Sequence, residues 1–82
     1  MNDVEAVLVR CFQAVFPGLD EGRIRTARSV SLEQWDSVAT VNLLNLISEE
    51  FGIEADWDRL EELNSFDSAL QMVRASLAGR PN

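Results

Sequence analysis

Between Asp36 and Gly52 lies SVATVNLLNLISEEF, a segment with a helix start before it, a helix stop after it and no proline or glycine inside. Aspartate is a strong N-cap, because its carboxylate accepts an N–H that the first helical turn leaves unpaired. Glycine is the usual residue where a helix ends in the left-handed conformation. At the 3.6-residue period, Leu46, Ala39, Leu43, Ile47, Phe51 and Leu44 cover an arc of roughly 160°. A helix with so broad an apolar face must bury it against other elements, and a chain of 82 residues has few to offer.

Those elements are helical too. In NDVEAVLVRCFQAVF, Asn2 or Asp3 can cap a first helix. Val7, Cys11, Val4, Val15, Leu8 and Phe12 fall on one arc, continued by Phe16 and Val9, with Arg10, Asp3 and Gln13 opposite. Pro17-Gly18 stops it. After Gly52, IEADWDRLEEL predicts a short third helix that Asp56 could cap, with Ile53, Trp57, Leu60 and Leu63 as its apolar residues. Asn64 or Ser65 caps a last helix striped by Phe66, Ala69, Leu70, Val73 and Leu77 and ended by Gly79 and Pro81. Residues 17–36 show no helical period and read as a long loop anchored by Leu19, Ile24, Val30, Leu32 and Trp35. The expected fold is all-α: one domain over 1–82, three main helices plus a short one, a long loop between the first two helices and no strand.

Composition removes most chemistry. The chain has no histidine, no lysine and one cysteine. That leaves no Ser-His or Cys-His pair, no Schiff-base amine, no zinc ligand set and no internal disulfide. The acids Asp56, Asp58, Glu61 and Glu62 do not follow a calcium-loop pattern, so no metal is expected. Cys11, in the middle of an apolar arc, reads as a small buried side chain, and the two tryptophans read as core or loop anchors. An enzyme in its own right is not expected. A net charge of −7 repels nucleic acid and favours basic patches on other proteins. The opening residues lack the pattern of a secretory signal, and no apolar run is long enough for a membrane span. A cytoplasmic protein without membrane insertion is the expectation.

One pair remains to be explained. An Asp-Ser pair opening a helix is common, since both side chains satisfy free backbone N–H groups. Here Asp36-Ser37-Val38 ends a long anchored loop, opens the second helix of a small acidic bundle and is followed by VATVNLLNLISEEFGI. In this setting the chain resembles the acyl carrier protein family, whose attachment motif is Asp-Ser followed by an apolar residue. The resemblance covers nearly the whole chain: helix, long loop, Asp-Ser helix ending in Glu-Glu-Phe-Gly-Ile, short helix, final helix. Trp35 before the pair is similar to the Trp-Asp-Ser motif of a subset of freestanding carriers.

The resemblance implies an acyl-carrier-like bundle in which Ser37, next to Asp36, receives a 4′-phosphopantetheine arm from coenzyme A. A phosphopantetheinyl transferase installs it, an acyl-activating ligase or acyltransferase loads it, and synthase enzymes with basic docking patches use it. The arm's thiol carries acyl groups as thioesters in a fatty-acid, lipid or polyketide pathway, and the carrier works as a monomer. Two exposed valines on the polar side of the second helix, Val38 and Val41, are ordinary as scattered surface residues. Under the resemblance they form a small apolar patch at the root of the arm, ringed by Asn42, Asn45 and Glu49, where partners dock. Ser37 lies at the border of the two faces, close to Leu44, so an arm there can swing outward or its cargo can tuck back toward the core.

The chain departs from carriers of fatty acid synthesis, which line the docking face with acids. Here Ala39, Asn42, Asn45 and Ser48 stand there, and only Glu49 and Glu50 remain. Charge at such a face sets steering and specificity, so the departure implies specialised partners. Two other readings stay open. A freestanding aminoacyl carrier of the D-alanyl type keeps the arm and changes the cargo, although the Gly-Gly-x-Ser pattern of peptide-synthetase carriers is absent. An unmodified helical adaptor uses Ser37 only as part of a cap.

Overall fold

The computed structural model describes residues 4–54 and 57–78. Four α-helices follow in order: α1 Val4–Val15, α2 Glu21–Arg25, α3 Ser37–Phe51 and α4 Phe66–Ala78. Two 3-10 segments, Ser29–Ser31 and Trp57–Glu62, sit in the connections on either side of α3. No β-strand forms among the described residues; Arg28 and Ser65 make one isolated antiparallel bridge. The all-α expectation and its three long helices hold. The proposed caps at Asn2, Asp3 and Asp56 and the stop at Gly79 and Pro81 fall outside the described residues, as does the placing of Asp3 on the polar face of the first helix.

The apolar arcs meet where the 3.6-residue period puts them. Leu8, Val9, Cys11 and Phe12 of α1 are buried, as are Ala39, Leu43, Leu44 and Ile47 of α3 and Phe66, Ala69, Leu70, Met72 and Val73 of α4. Val4, Val7, Val15, Leu46, Phe51 and Leu77 border this core half-buried. No polar or charged residue is fully buried among the described residues, so apolar packing alone fills the interior. Glu5 on α1 adds a surface tie, pairing with Arg25 of α2 and, at 3.3 Å, with Arg74 of α4. Its bond to Arg25 is the main cause that holds the guanidinium above its ordinary pKa.

Residues 17–36 are more ordered than a loop, which corrects the reading of that stretch. Asp20 caps α2 by accepting the Arg23 N–H at 2.8 Å, and the helix buries Ile24 alone. Five residues with a single buried side chain are too few to register as a helical period. Leu19 and Trp35 are buried and Leu32 is half-buried, as expected of anchors. Val30 is not an anchor: it stands 88 % exposed on the 3-10 turn. Two backbone bonds, Ser29 N–H to the Asn64 carbonyl at 2.8 Å and Phe66 N–H to the Ala27 carbonyl at 3.0 Å, stitch this stretch to the start of α4.

The third expected helix is the 3-10 segment Trp57–Glu62. Leu63 just beyond it is buried and Leu60 half-buried, but Trp57 is 48 % exposed and anchors nothing. Ser65 then caps α4 reciprocally: its hydroxyl accepts the Ser68 N–H at 3.0 Å, and the Ser68 hydroxyl accepts the Ser65 N–H at 3.1 Å.

Candidate functional site

The start of α3 is fixed from the core outward. Trp35 is only 5 % exposed and packs edge-on against Phe12, with ring centroids 5.4 Å apart, and against Phe16 at 5.5 Å. A buried indole needs a partner for its N–H. The Trp35 Nε1–H donates to Thr40 Oγ1 at 2.9 Å, and the Thr40 hydroxyl donates to the Asp36 carbonyl at 2.9 Å. This clamp spans the residue before the cap and the first turn of the helix. Thr40 was not singled out from sequence; a buried tryptophan five residues before a threonine was the only signal of it.

Asp36, in extended conformation, accepts the Ala39 N–H on Oδ1 at 2.8 Å. Ser37 is therefore the first helical residue. It is exposed, and its hydroxyl has no hydrogen-bond partner among the described residues. Gly52, with φ 63°, closes the other end of α3, as expected.

Two grooves flank the start of α3, and Asp36 lines both. One, of about 510 Å³, runs between α1 and α3, lined by Ala14, Val15, Asp36, Val38, Ala39, Asn42, Asn45, Leu46 and Glu49. The other, of about 270 Å³, is lined by Ser37 itself with Ser29, Trp35, Thr40, Leu60, Glu61, Leu63 and Asn64. Its far wall comes from segments distant in sequence, so no local pattern could have revealed it.

Of the residues expected around Ser37, the first groove gathers Asp36, Val38, Asn42, Asn45 and Glu49, with Val38 67 % exposed. Val41 is half-buried where Val38 is exposed, and it does not line that groove. At about 100° per residue the two valines stand about 60° apart around α3, so a groove on one flank takes Val38 and leaves Val41 out. Ser48, half-buried, has its hydroxyl engaged, donating back to the Leu44 carbonyl at 2.8 Å.

Charge is unevenly spread along the chain. Residues 33–62 hold nine carboxylates and one arginine, a net −8, while the rest holds five carboxylates and six arginines, a net +1. The acids missing from the face of α3 are thus supplied partly by the Trp57–Glu62 segment, which packs on α3. Cys11 is no part of the site. Burial first, and the nearby charge of Glu50 second, push its thiol up to about 11, so it stays protonated near neutral pH and is a poor nucleophile.

No group of three or more His, Cys, Asp or Glu side chains among the described residues is arranged to hold a metal ion. No helix among them is long and apolar enough to cross a membrane. Comparisons with protein-family models, with curated proteins and with solved structures returned no match for this chain.

Proposed function

We propose that this chain is an acyl carrier, with Ser37 the attachment point of a 4′-phosphopantetheine arm. The observation that carries the reading is the Ser37 hydroxyl: exposed, without a partner, and held at the first position of a helix whose start is fixed by Asp36, Thr40 and Trp35. A transferase can reach such an oxygen without breaking a hydrogen bond. The residues suit a phosphodiester. With the Ala39 N–H taken by Asp36, the Ser37 and Val38 N–H groups are the first-turn donors left at the positive end of the helix dipole. When attached, the arm supplies a terminal thiol that carries an acyl group as a thioester. The chain's own residues hold the arm's root and present it.

The partners fit the charge. A phosphopantetheinyl transferase, an acyl-activating ligase or acyltransferase, and synthase enzymes with basic patches would all approach the net −8 segment, residues 33–62, where Ser37 lies. The small acid content of α3 itself favours specialised lipid or polyketide partners, met by a cytoplasmic monomer.

Intact-mass measurement after incubation with coenzyme A and a broad-specificity phosphopantetheinyl transferase tests the reading. One phosphopantetheinyl group added to the wild type and none to a folded Ser37→Ala variant is the expected result. Absence of addition to folded wild type with several transferases makes Ser37 part of a helix cap and the domain an adaptor. Incubating the loaded protein with candidate ligases, ATP and fatty or amino acids separates an acyl from an aminoacyl carrier.

A further inference from the structure

Charge changes sign in the connection that leads to Ser37. Residues 22–32 carry three arginines and no carboxylate, whereas residues 33–62 hold a net −8. Arg25 is paired with Glu5 and Glu21. Arg23 and Arg28 are exposed, and their side chains make no ion pair or hydrogen bond among the described residues. Between Arg23 and Ser37 stands the 3-10 turn Ser29–Ser31. Three residues fill one turn of such a helix, so its side chains leave in directions about 120° apart. Ser29 lines the groove that Ser37 lines, and Ser31 lines another, of about 280 Å³, together with Arg23 and Thr26. Val30 is left at the crest between the two grooves, the most exposed large apolar side chain among the described residues. An exposed valine by itself is ordinary. Here it stands beside the attachment point with two unpaired arginines close by.

We propose that the Ser29–Ser31 turn is a docking ridge for the enzymes that act on Ser37, which meet it with an apolar socket for Val30 and a carboxylate for Arg28. The inference rests on the carrier reading and adds to it a contact opposite in charge to the one expected along residues 33–62. Size brings the ridge into any such contact. An interface of ordinary size covers about 800 Å² on each partner, a patch roughly 15 Å in radius. That is about a seventh of the 5408 Å² that the domain exposes. A patch centred on Ser37 takes in the walls of its groove, Ser29 included, and with Ser29 its neighbour Val30.

Charge then selects among partners. A uniformly basic docking surface suits residues 33–62 but sets a cation against Arg28. Like charges brought together in an interface are strongly unfavourable, and specificity is commonly built on such a mismatch. The enzyme matched to this chain is therefore bipolar: basic where it covers Val38 and Glu49, acidic where it covers Arg28. Arg23, across the Ser31 groove, extends the basic side of the ridge.

The test uses the full chain and, of the phosphopantetheinyl transferases assayed, the one that loads it with the highest kcat/KM. Arg28→Glu and Val30→Ser are compared with Arg10→Glu, which makes the same change in net charge as Arg28→Glu but on α1, outside both grooves. Urea midpoints close to wild type show that the three variants fold. Arg28→Glu and Val30→Ser are each expected to raise KM about tenfold with kcat near wild type. Arg10→Glu is expected to change KM by less than about twofold, its charge being screened by salt. A wild-type KM in both ridge variants, or a lower one in Arg28→Glu, overturns the ridge and leaves the carrier standing. An equal rise in Arg28→Glu and Arg10→Glu assigns the effect to net charge and overturns it as well. A wild-type dimer that Val30→Ser abolishes gives the ridge to a second copy of the chain instead. Failure of the wild type to gain mass with any transferase overturns the carrier reading, and the ridge's partners with it.

Discussion

The two connections that flank α3 differ in what holds them. The one before it, residues 16–36, buries Phe16, Leu19, Ile24, Ala27 and Trp35 and is stitched to α4 by backbone hydrogen bonds. In the one after it, from Ile53 on, Leu63 alone is buried among the described residues, with Ile53 and Leu60 half-covered and Trp57 turned outward. Both reach the neighbourhood of Ser37, so the serine sits between a wall set into the core and a wall resting on the surface of α3. A long connection becomes rigid when anchors recur every few residues, because each buried side chain removes freedom from the backbone on both sides of it. A wall with fewer buried contacts opens at lower free energy. The position of Ser37 is thus set from the Trp35 side, and under the proposed carrier function any adjustment to cargo or partner is expected on the Leu60–Leu63 side.

The two tryptophans break or sustain that contrast most directly. Trp35→Ala removes a buried ring from the Phe12–Phe16 cluster, and buried Trp→Ala changes cost about 3–5 kcal/mol. That is a large part of the ~5–15 kcal/mol available to a small domain. Trp57→Ala, on a half-exposed site, is expected to cost no more than about 0.5 kcal/mol, as surface changes do. Urea unfolding of both variants measures the difference. Equal losses would mean that the second connection is as firmly set as the first.

The sequence carried the contrast only in part. Asp36 and Gly52 bounded α3 correctly because caps are local chemistry, read from one residue and its immediate neighbours. The core faces of α1, α3 and α4 were legible because twelve or more residues of periodic pattern outweigh a few exceptions. α2 was not, since five residues around Ile24 make no period. Trp57 and Val30 misled for a common reason: a large apolar side chain on a one- or two-turn element is buried only if another element happens to cover it, and its own sequence does not say. At the site, Ser37 came from the Asp36-Ser37-Val38 motif and the resemblance it carries, and one groove-lining set from a helical wheel of α3. Val41, Thr40 and the Ser29–Leu60–Leu63 wall depend on which neighbours arrive from elsewhere in the chain.

A second, smaller effect concerns the clamp that joins the rigid connection to α3. Thr40→Val keeps the shape of the side chain and removes the acceptor for the Trp35 indole N–H at 2.9 Å. An orphaned buried donor costs about 1–3 kcal/mol. Faster hydrogen exchange of the indole N–H and of the first-turn amides of α3 should accompany the loss. If the indole N–H stays as protected as in the wild type, the clamp is not what fixes the start of the helix.

The smallest expected effect separates the cap from its charge. Asp36→Ala gives up the bond from the Ala39 N–H and should destabilise the domain by about 1 kcal/mol, the usual value of an N-cap. Asparagine is as good a cap as aspartate, so Asp36→Asn should change stability by only a few tenths of a kcal/mol. The comparison becomes informative when both are also assayed for the rate of phosphopantetheine loading. Slow loading of the alanine variant alone would assign Asp36 to the set of residues that hold Ser37 in place, an extension of the Trp35–Thr40 clamp. Equally slow loading of both, with the asparagine variant as stable as wild type, would mean that the transferase reads the carboxylate itself. The acidic segment 33–62 would then act at the attachment point through a named contact, as well as through its long-range field.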